Sequence, residues 1–365
     1  MSQRILKCGA LAGAVLAALL LLRGSPAATA AQTSAPVAAT RLAQNPLITL
    51  QSSVSLGDDI DGPTVIRVPS WVEHPLGRYY MYFAHHMGAF IRLAYADAIT
   101  GPWKIYEPGV LNVKDTAMFR PQPDPVENLE NFYTHVASPE IRVDDSGKRM
   151  LMWFHGWWTE GAMWPVGEPA ARAWARDHGY AQDTQSAESS DGLHFTVRPA
   201  ITKTSYLRVF PGPPRGDYFY GMARLGLLLR SRDPLGTFET GANAFRDSPY
   251  AARVRHVALL QRGGTMYVFF TAIGDAPERV MMSTMNTSNT SGAWSTWKVS
   301  PAIELLRPAA PYECPNLPNV PSEAGDIKGP AQQLRDPGVF EEDGRTFLFY
   351  SICGEQGIAA AELKF

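Results

Sequence analysis

Ser138-Pro-Glu-Ile-Arg-Val143, the polar turn Asp145-Ser-Gly147 and the aromatic run Met150-Leu-Met-Trp-Phe154 decide the fold of this chain. The first piece alternates side chains as a strand does, the second reverses the chain, and the third is apolar on both faces. The phrase recurs. Upstream stands Asp61-Gly-Pro-Thr-Val-Ile-Arg-Val68, followed by Arg78-Tyr-Tyr-Met-Tyr-Phe83, Ile91-Arg-Leu-Ala-Tyr-Ala96 and the turn Thr100-Gly-Pro-Trp103. Downstream, a weaker copy opens on Tyr206-Leu-Arg-Val-Phe210. A fourth runs from Arg255-His-Val-Ala-Leu-Leu260 to Met266-Tyr-Val-Phe-Phe270, and a fifth from Arg335-Asp-Pro-Gly-Val-Phe340 through residues 346–350.

Five units, each of three or four antiparallel strands, predict an all-β, five-bladed β-propeller. A lone four-stranded sheet cannot bury both faces, so each blade must pack its aromatic second strand against a neighbour. A β-sandwich does not explain the recurrence. The fifth unit supplies about three strands before the chain reaches Phe365, so residues 46–55 are expected to close the ring.

Composition agrees with this reading. Of 365 residues, 33 Lys and Arg face 35 Asp and Glu, a net charge of −2 that offers no field to nucleic acid or to an anionic membrane. Charged residues make up only 19%, while 31 Gly, 29 Pro and 39 aromatic residues fit a turn-rich β protein. Residues 1–30 carry Arg4 and Lys7, an apolar run from Cys8 to Leu22, and Ala28-Thr29-Ala30, the pattern of a cleaved signal peptide. The run is short for a spanning helix. Residues 31–44 read as a flexible leader and residues 45–365 as one catalytic domain, exported to the periplasm or beyond and without stable membrane association. Export allows a bridge between Cys314 and Cys353, although their spacing does not demand one. No phosphate loop, dinucleotide fingerprint, nucleophile elbow or zinc-ligand cluster is present.

The strand entries and turns resemble those of the five-bladed propeller glycoside hydrolases of the family 43 type and relatives, families 32, 62, 68 and 117. The motifs are Asp61-Gly-Pro, Ala137-Ser-Pro-Glu140 and Leu334-Arg-Asp-Pro337, together with the Thr-Gly-Pro-Trp and Ser-x-Asp-Gly turns. The resemblance implies carbohydrate as the partner and hydrolysis by two carboxyl groups flanking the scissile bond, in an inverting, exo-acting mode. Carried over residue by residue, it makes Asp61 the general base, with Asp59 a rival, and Glu140 the group that tunes its partner. The third-blade Glu-Gly-Pro entry that carries the general acid is absent, since Leu207-Arg-Val-Phe-Pro211 stands there. A histidine takes that part in family 117, and His256 is the first candidate, with Asp336, Glu278 and Glu355 behind it.

Inner-strand entries converge on the axis of any propeller, so Asp61, Glu140 and Asp336 are expected to meet there. His135, Arg208, Arg255, His256 and Arg335 fill the gaps, and His85, His86 and His155 end neighbouring strands where they reach the substrate. Trp157 opens an insertion that also holds Trp158, Trp164 and Trp174, whose faces suit sugar rings. No cofactor is expected, with room at the axis for a structural calcium or sodium ion. Two other classes remain open. Arg208, Arg255 and Arg335 with the histidines suit a lyase acting on a uronate, and a sugar-binding propeller needs no acid–base pair.

Overall fold

The computed structural model describes residues 37–119, 134–158, 181–212, 217–288 and 294–365. Five antiparallel sheets follow one another along the chain. Blade 1 comprises Asp61–Arg67, Tyr79–Ala84, Phe90–Ala96 and Lys104–Asn112; blade 2 comprises Ala137–Asp144, Arg149–Trp158, Ala181–Ser189 and Thr196–Thr202. Blade 3 runs Arg208–Pro211, Phe219–Ala223, Leu227–Ser231 and Glu239–Asn243, and blade 4 runs Val254–Arg262, Thr265–Ala272, Val280–Asn286 and Ile303–Leu306. Blade 5 takes Arg335–Glu342, Arg345–Ile352 and Gly357–Lys364 from the C-terminal part of the chain and Ala38–Arg41 from the other end. The chain is a five-bladed β-propeller.

The aromatic second strands explain the ring. In Tyr79–Ala84 every side chain is buried, because successive residues point to opposite faces and both faces are covered. Tyr80 and Tyr82 join a cluster with Met150, Met152 and Phe154 of blade 2. Tyr79, Met81 and Phe83 join Phe347 and Phe349 of blade 5. The same alternation continues around the circle. Leu151 and Trp153 meet Leu207 and Val209 of blade 3, Tyr220 and Met222 meet Val268 and Phe270 of blade 4, and Phe269 meets Leu348 and Tyr350 of blade 5. Five apolar clusters thus fill five interfaces, each buried large side chain contributing about 1.5–3 kcal/mol of transfer free energy.

The closing strand differs from expectation. Residues 46–55 contribute only Ile48–Thr49 to the sheet before the chain enters two 3-10 turns, Leu50–Ser52 and Val54–Leu56. The fourth strand is Ala38–Arg41, inside the stretch read as a leader, which pairs from Ala38↔Lys364 to Arg41↔Ala361. Both segments share the last strand, since Ile48 pairs with Ile358. Asn45 fills the gap between them, its side-chain amide donating to the Ala360 carbonyl and its oxygen accepting the Ala360 N–H. Arg41 then forks onto buried Glu313 at 2.7 and 2.8 Å. Cys314, next to Glu313, is disulfide-bonded to Cys353, which ties the loop after blade 4 to blade 5.

The inner strands bend where they enter the axis. Four of the five slip register there, between Asp61 and Thr64, Ala137 and Glu140, Val254 and Val257, and Arg335 and Gly338. Such bulges re-aim side chains. Gly62, Ser138 and Asp336 occupy the left-handed region at φ of 63°, 45° and 49°. A Cβ on Gly62 would lie 2.7 Å from Ser138 Cα, so only glycine lets blades 1 and 2 approach this closely.

Candidate active site

The bulges gather a buried polar cluster at the axis. Asp61 and Asp336 are both fully buried. Ser138 Oγ donates to Asp61 Oδ2 at 3.2 Å, and His256 is in direct contact with the Asp336 carboxylate. His86, just past the second strand of blade 1, places Nδ1 3.7 Å from Asp61 and 3.4 Å from Glu355. Its backbone N–H donates to Asp59. Arg335 donates to Glu355 and to Gln333, each at 2.8 Å, while Arg255 forks onto Glu278 at 2.9 and 3.1 Å. Tyr206 lies between two imidazoles, its ring centroid 4.1 Å from that of His155 and 3.9 Å from that of His256.

Burial and neighbouring charge split the protonation states of these groups. Burial, reinforced by the charge of Asp336, pushes the Asp61 carboxyl up to about 8. Asp59 is raised well above the carboxylate range by burial and by Glu355. Asp336 goes the other way: burial opposes its charge, but His256 and Arg335 hold it low. Glu355 is likewise held low against burial by His86 and Arg335. Burial disfavours a cation at His86, yet Glu355 and Asp61 outweigh it and push the imidazole up to about 9. His155 and His256 are lowered, first by burial, and stay neutral. At neutral pH the axis therefore holds two protonated carboxyls beside two ionised ones.

A cavity of about 190 Å³ opens onto this cluster, lined by His86, Trp157, Gln182, Tyr206, Arg224 and Arg255 among others. Asp61 and Asp336 lie one side chain behind its wall, Asp61 against His86 and Asp336 against the His256 ring that packs on Tyr206. No protein-family model matches the sequence. Over 324 residues the chain is 32% identical to an uncharacterised protein of Acanthamoeba polyphaga mimivirus, covering 84% of this chain and 83% of the viral one. The chain belongs to that protein's family.

Solved structures share its fold at low identity. A glycosyl hydrolase from Bacteroides ovatus superposes with a TM-score of 0.55 at 11% identity, covering 90% of this chain and 94% of that one. A family 43 β-xylosidase/α-arabinofuranosidase from a compost microbial metagenome, in complex with xylotriose, gives 0.52 at 11% over 89% and 94%. An α-L-arabinofuranosidase from Lactobacillus brevis gives 0.50 at 12% over 87% and 92%. These neighbours are glycoside hydrolases, and what they share with the viral protein's relative is the propeller.

Most residues expected at the axis converge there: Asp59, Asp61, His86, His155, Arg255, His256, Arg335 and Asp336 are all buried within the cluster. His135 sits at its edge, 3.5 Å from the Gln182 amide, and Trp157 lines the mouth. Three do not face the mouth. Glu140 lines a separate cavity of about 720 Å³ further along the inner strands, beside Arg142 at 3.1 Å, because it follows the bulge rather than preceding it. Arg208 donates to the Ser138, Pro139 and Val257 carbonyls and lies 3.7 Å from Glu140. His85 points outward to exposed Asp58 at 2.9 Å. Trp164 and Trp174 lie outside the described residues. The sequence reading missed Tyr206 and Arg224, which sit in no acidic or histidine-bearing motif, and it passed over Ser138 within the Ala137-Ser-Pro-Glu140 entry. Among the described residues, no group of three or more His, Cys, Asp or Glu is arranged to hold a metal ion.

Proposed function

We propose that this protein is a glycoside hydrolase that removes a terminal sugar from a glycan by single displacement. The observation that carries the reading is the pair of fully buried axial carboxyls behind one small cavity, Asp61 beside Ser138 and His86, and Asp336 against His256. Two carboxyls with separated pKa values are what glycosidic cleavage needs. Asp61 carries the proton at neutral pH and delivers it to the leaving oxygen as the glycosidic C–O bond breaks. Asp336, ionised, takes one proton from the water whose oxygen bonds the anomeric carbon from the other side. The product carries the inverted configuration, and solvent exchange restores both carboxyls. This gives Asp61 the acid's part rather than the base's, because burial and Asp336 hold its proton on. His256 then positions Asp336 instead of acting as the acid, since its imidazole is neutral. A cavity of about 190 Å³ supports an exo mode, with one ring at the mouth.

The test is a panel of plant and algal oligosaccharides, read for reducing ends and for ultraviolet absorbance. Reducing sugar without an unsaturated product supports hydrolysis, an absorbing product would replace it with elimination, and binding without either would leave a lectin-like propeller. Asp61→Asn and Asp336→Asn are each expected to lower kcat on the order of a thousandfold with an unchanged circular dichroism spectrum. Elimination would have to use a neutral imidazole as its base, because burial raises the Tyr206 phenol far from that service. We place the working enzyme outside the cytoplasm on residues 1–30 and on the Cys314–Cys353 bridge, which suits an oxidising compartment. A mature chain that does not begin near Ala31 would count against export.

A further inference from the structure

A second cavity, of about 420 Å³, adjoins the mouth, and Trp157, Gln182 and Arg224 form a wall common to both. Thr204, Ser205 and Leu225 line the remainder of it, with Leu227 and Asn243. Among the described residues, Arg224 is the one charged residue of that lining and no carboxylate pairs with it. The contrast with its neighbours is sharp. Arg255 is engaged by Glu278, Arg335 by Glu355, and Arg208 by backbone carbonyls, so the arginines that the sequence offers for anion recognition are already satisfied. Arg224 is a different case: among the described residues no ion pair engages it, although Asp326 also lines the mouth.

The chain fixes Arg224 in place. It opens the single 3-10 turn Arg224–Gly226, where Leu225 takes φ of 64° although it is not glycine and is 37% exposed. Such a backbone costs on the order of 1–3 kcal/mol and persists only where its surroundings over-determine it. Here the Arg224 N–H donates to the Ser205 carbonyl at 3.1 Å, and a Cβ on Gly226 would lie 2.3 Å from the Phe245 ring. The turn is therefore locked from both sides.

We propose that this cavity is a second sugar subsite and that it selects a glycan whose residue next to the cleaved one carries an anion, a uronate carboxylate or a sulfate ester, held by Arg224. The guanidinium fork matches either oxyanion, and Trp157 supplies an aromatic side chain for the ring that bears it. The proposal rests on the glycosidase reading for the sugar at the mouth, whereas the charge preference is measured without turnover.

The experiment is isothermal titration calorimetry of the full chain with two matched pairs of oligosaccharides: a uronate-bearing probe with its carboxyl-reduced counterpart, and a sulfated probe with its desulfated counterpart. In at least one pair the anionic member should bind on the order of tenfold tighter. The pair that shows the gap identifies the anion. Arg224→Gln should abolish the gap, Arg224→Lys should keep part of it, and added salt should narrow it. Equal binding of anionic and neutral members by the unaltered protein overturns the proposal. So does a gap that survives in natively folded Arg224→Gln, and so does the absence of binding by all four probes. A gap that vanishes in Arg224→Gln without any hydrolysis upholds this subsite and removes the glycosidase reading. Hydrolysis of neutral and anionic members alike, with no gap, does the reverse.

Discussion

Each inner strand has two halves that use the same residue types for different ends. At the entry, Arg255 with Glu278 and Arg335 with Glu355 are fully enclosed, and the bulged backbone turns them to the axis. At the exit, Arg67 with Glu342 and Arg262 with Glu341 are regularly paired and face water, the Arg67 side chain being 52% exposed. Ion pairs in water gain little and are screened, whereas enclosed ones are costly to form and far costlier to break. The difference is one of burial rather than composition. Bulging of the backbone, not the choice of charged residue, makes the entry half a site.

That comparison breaks most directly by removing one partner at each end. Glu355→Gln takes a charge from between His86 and Arg335 and leaves both cations short of compensation inside the protein. The expected cost is about 3–5 kcal/mol of unfolding free energy. Arg67→Ala removes an exposed partner of Glu342 and is expected to cost far less, because water screens that pair. Chemical denaturation of both variants checks the ratio. Equal losses would mean that the axis is as wet as the rim and that the protonation pattern drawn from its burial is mistaken.

The sequence made the architecture legible because blade packing writes a strong signal. Tyr79–Ala84 and Met266-Tyr-Val-Phe-Phe270 are apolar on both faces, which only a strand buried between two sheets requires. The axial acids were legible through the Pro-bearing strand entries, so Asp61 and Asp336 fell where expected. Glu140 did not. The three entries look alike as text, but Asp61 precedes the left-handed residue, Asp336 is that residue, and Glu140 stands two positions after Ser138. A shift of one or two residues along a bulged strand changes which cavity a side chain meets. Ala38–Arg41 was hidden for another reason: four small or polar residues carry no strand pattern, and their pairing is dictated by the free edge of Gly357–Lys364. Arg224 was invisible because its isolation is a property of what surrounds it.

The smaller effect expected is on pH. Asp61 and His86 both have folded pKa values raised above their ordinary ones, to about 8 from 3.8 and to about 9 from 6.5. A group whose pKa is raised on folding binds protons more tightly in the folded state, so its contribution is complete below the unfolded pKa and is lost as pH rises. Asp61 withdraws stability between about 4 and 8, and His86 between about 6.5 and 9. Asp336 and Glu355 are held low, so their contributions are lost on acidification instead. Between pH 6.5 and 8 Asp61 and His86 act together and Asp59 adds in the same direction, while Asp336 and Glu355 are silent and the lowered His155 and His256 act mainly below that interval. Thermal melting across that interval should therefore show Tm falling with pH, and His86→Gln should flatten the upper part of the slope. Exit-half pairs such as Arg67 with Glu342 do not titrate in this window and should leave the slope unchanged when cut. A Tm of His86→Gln that is level from pH 6.5 to 8 would mean that Asp61 ionises like an exposed carboxyl, and it would return the general base to that residue.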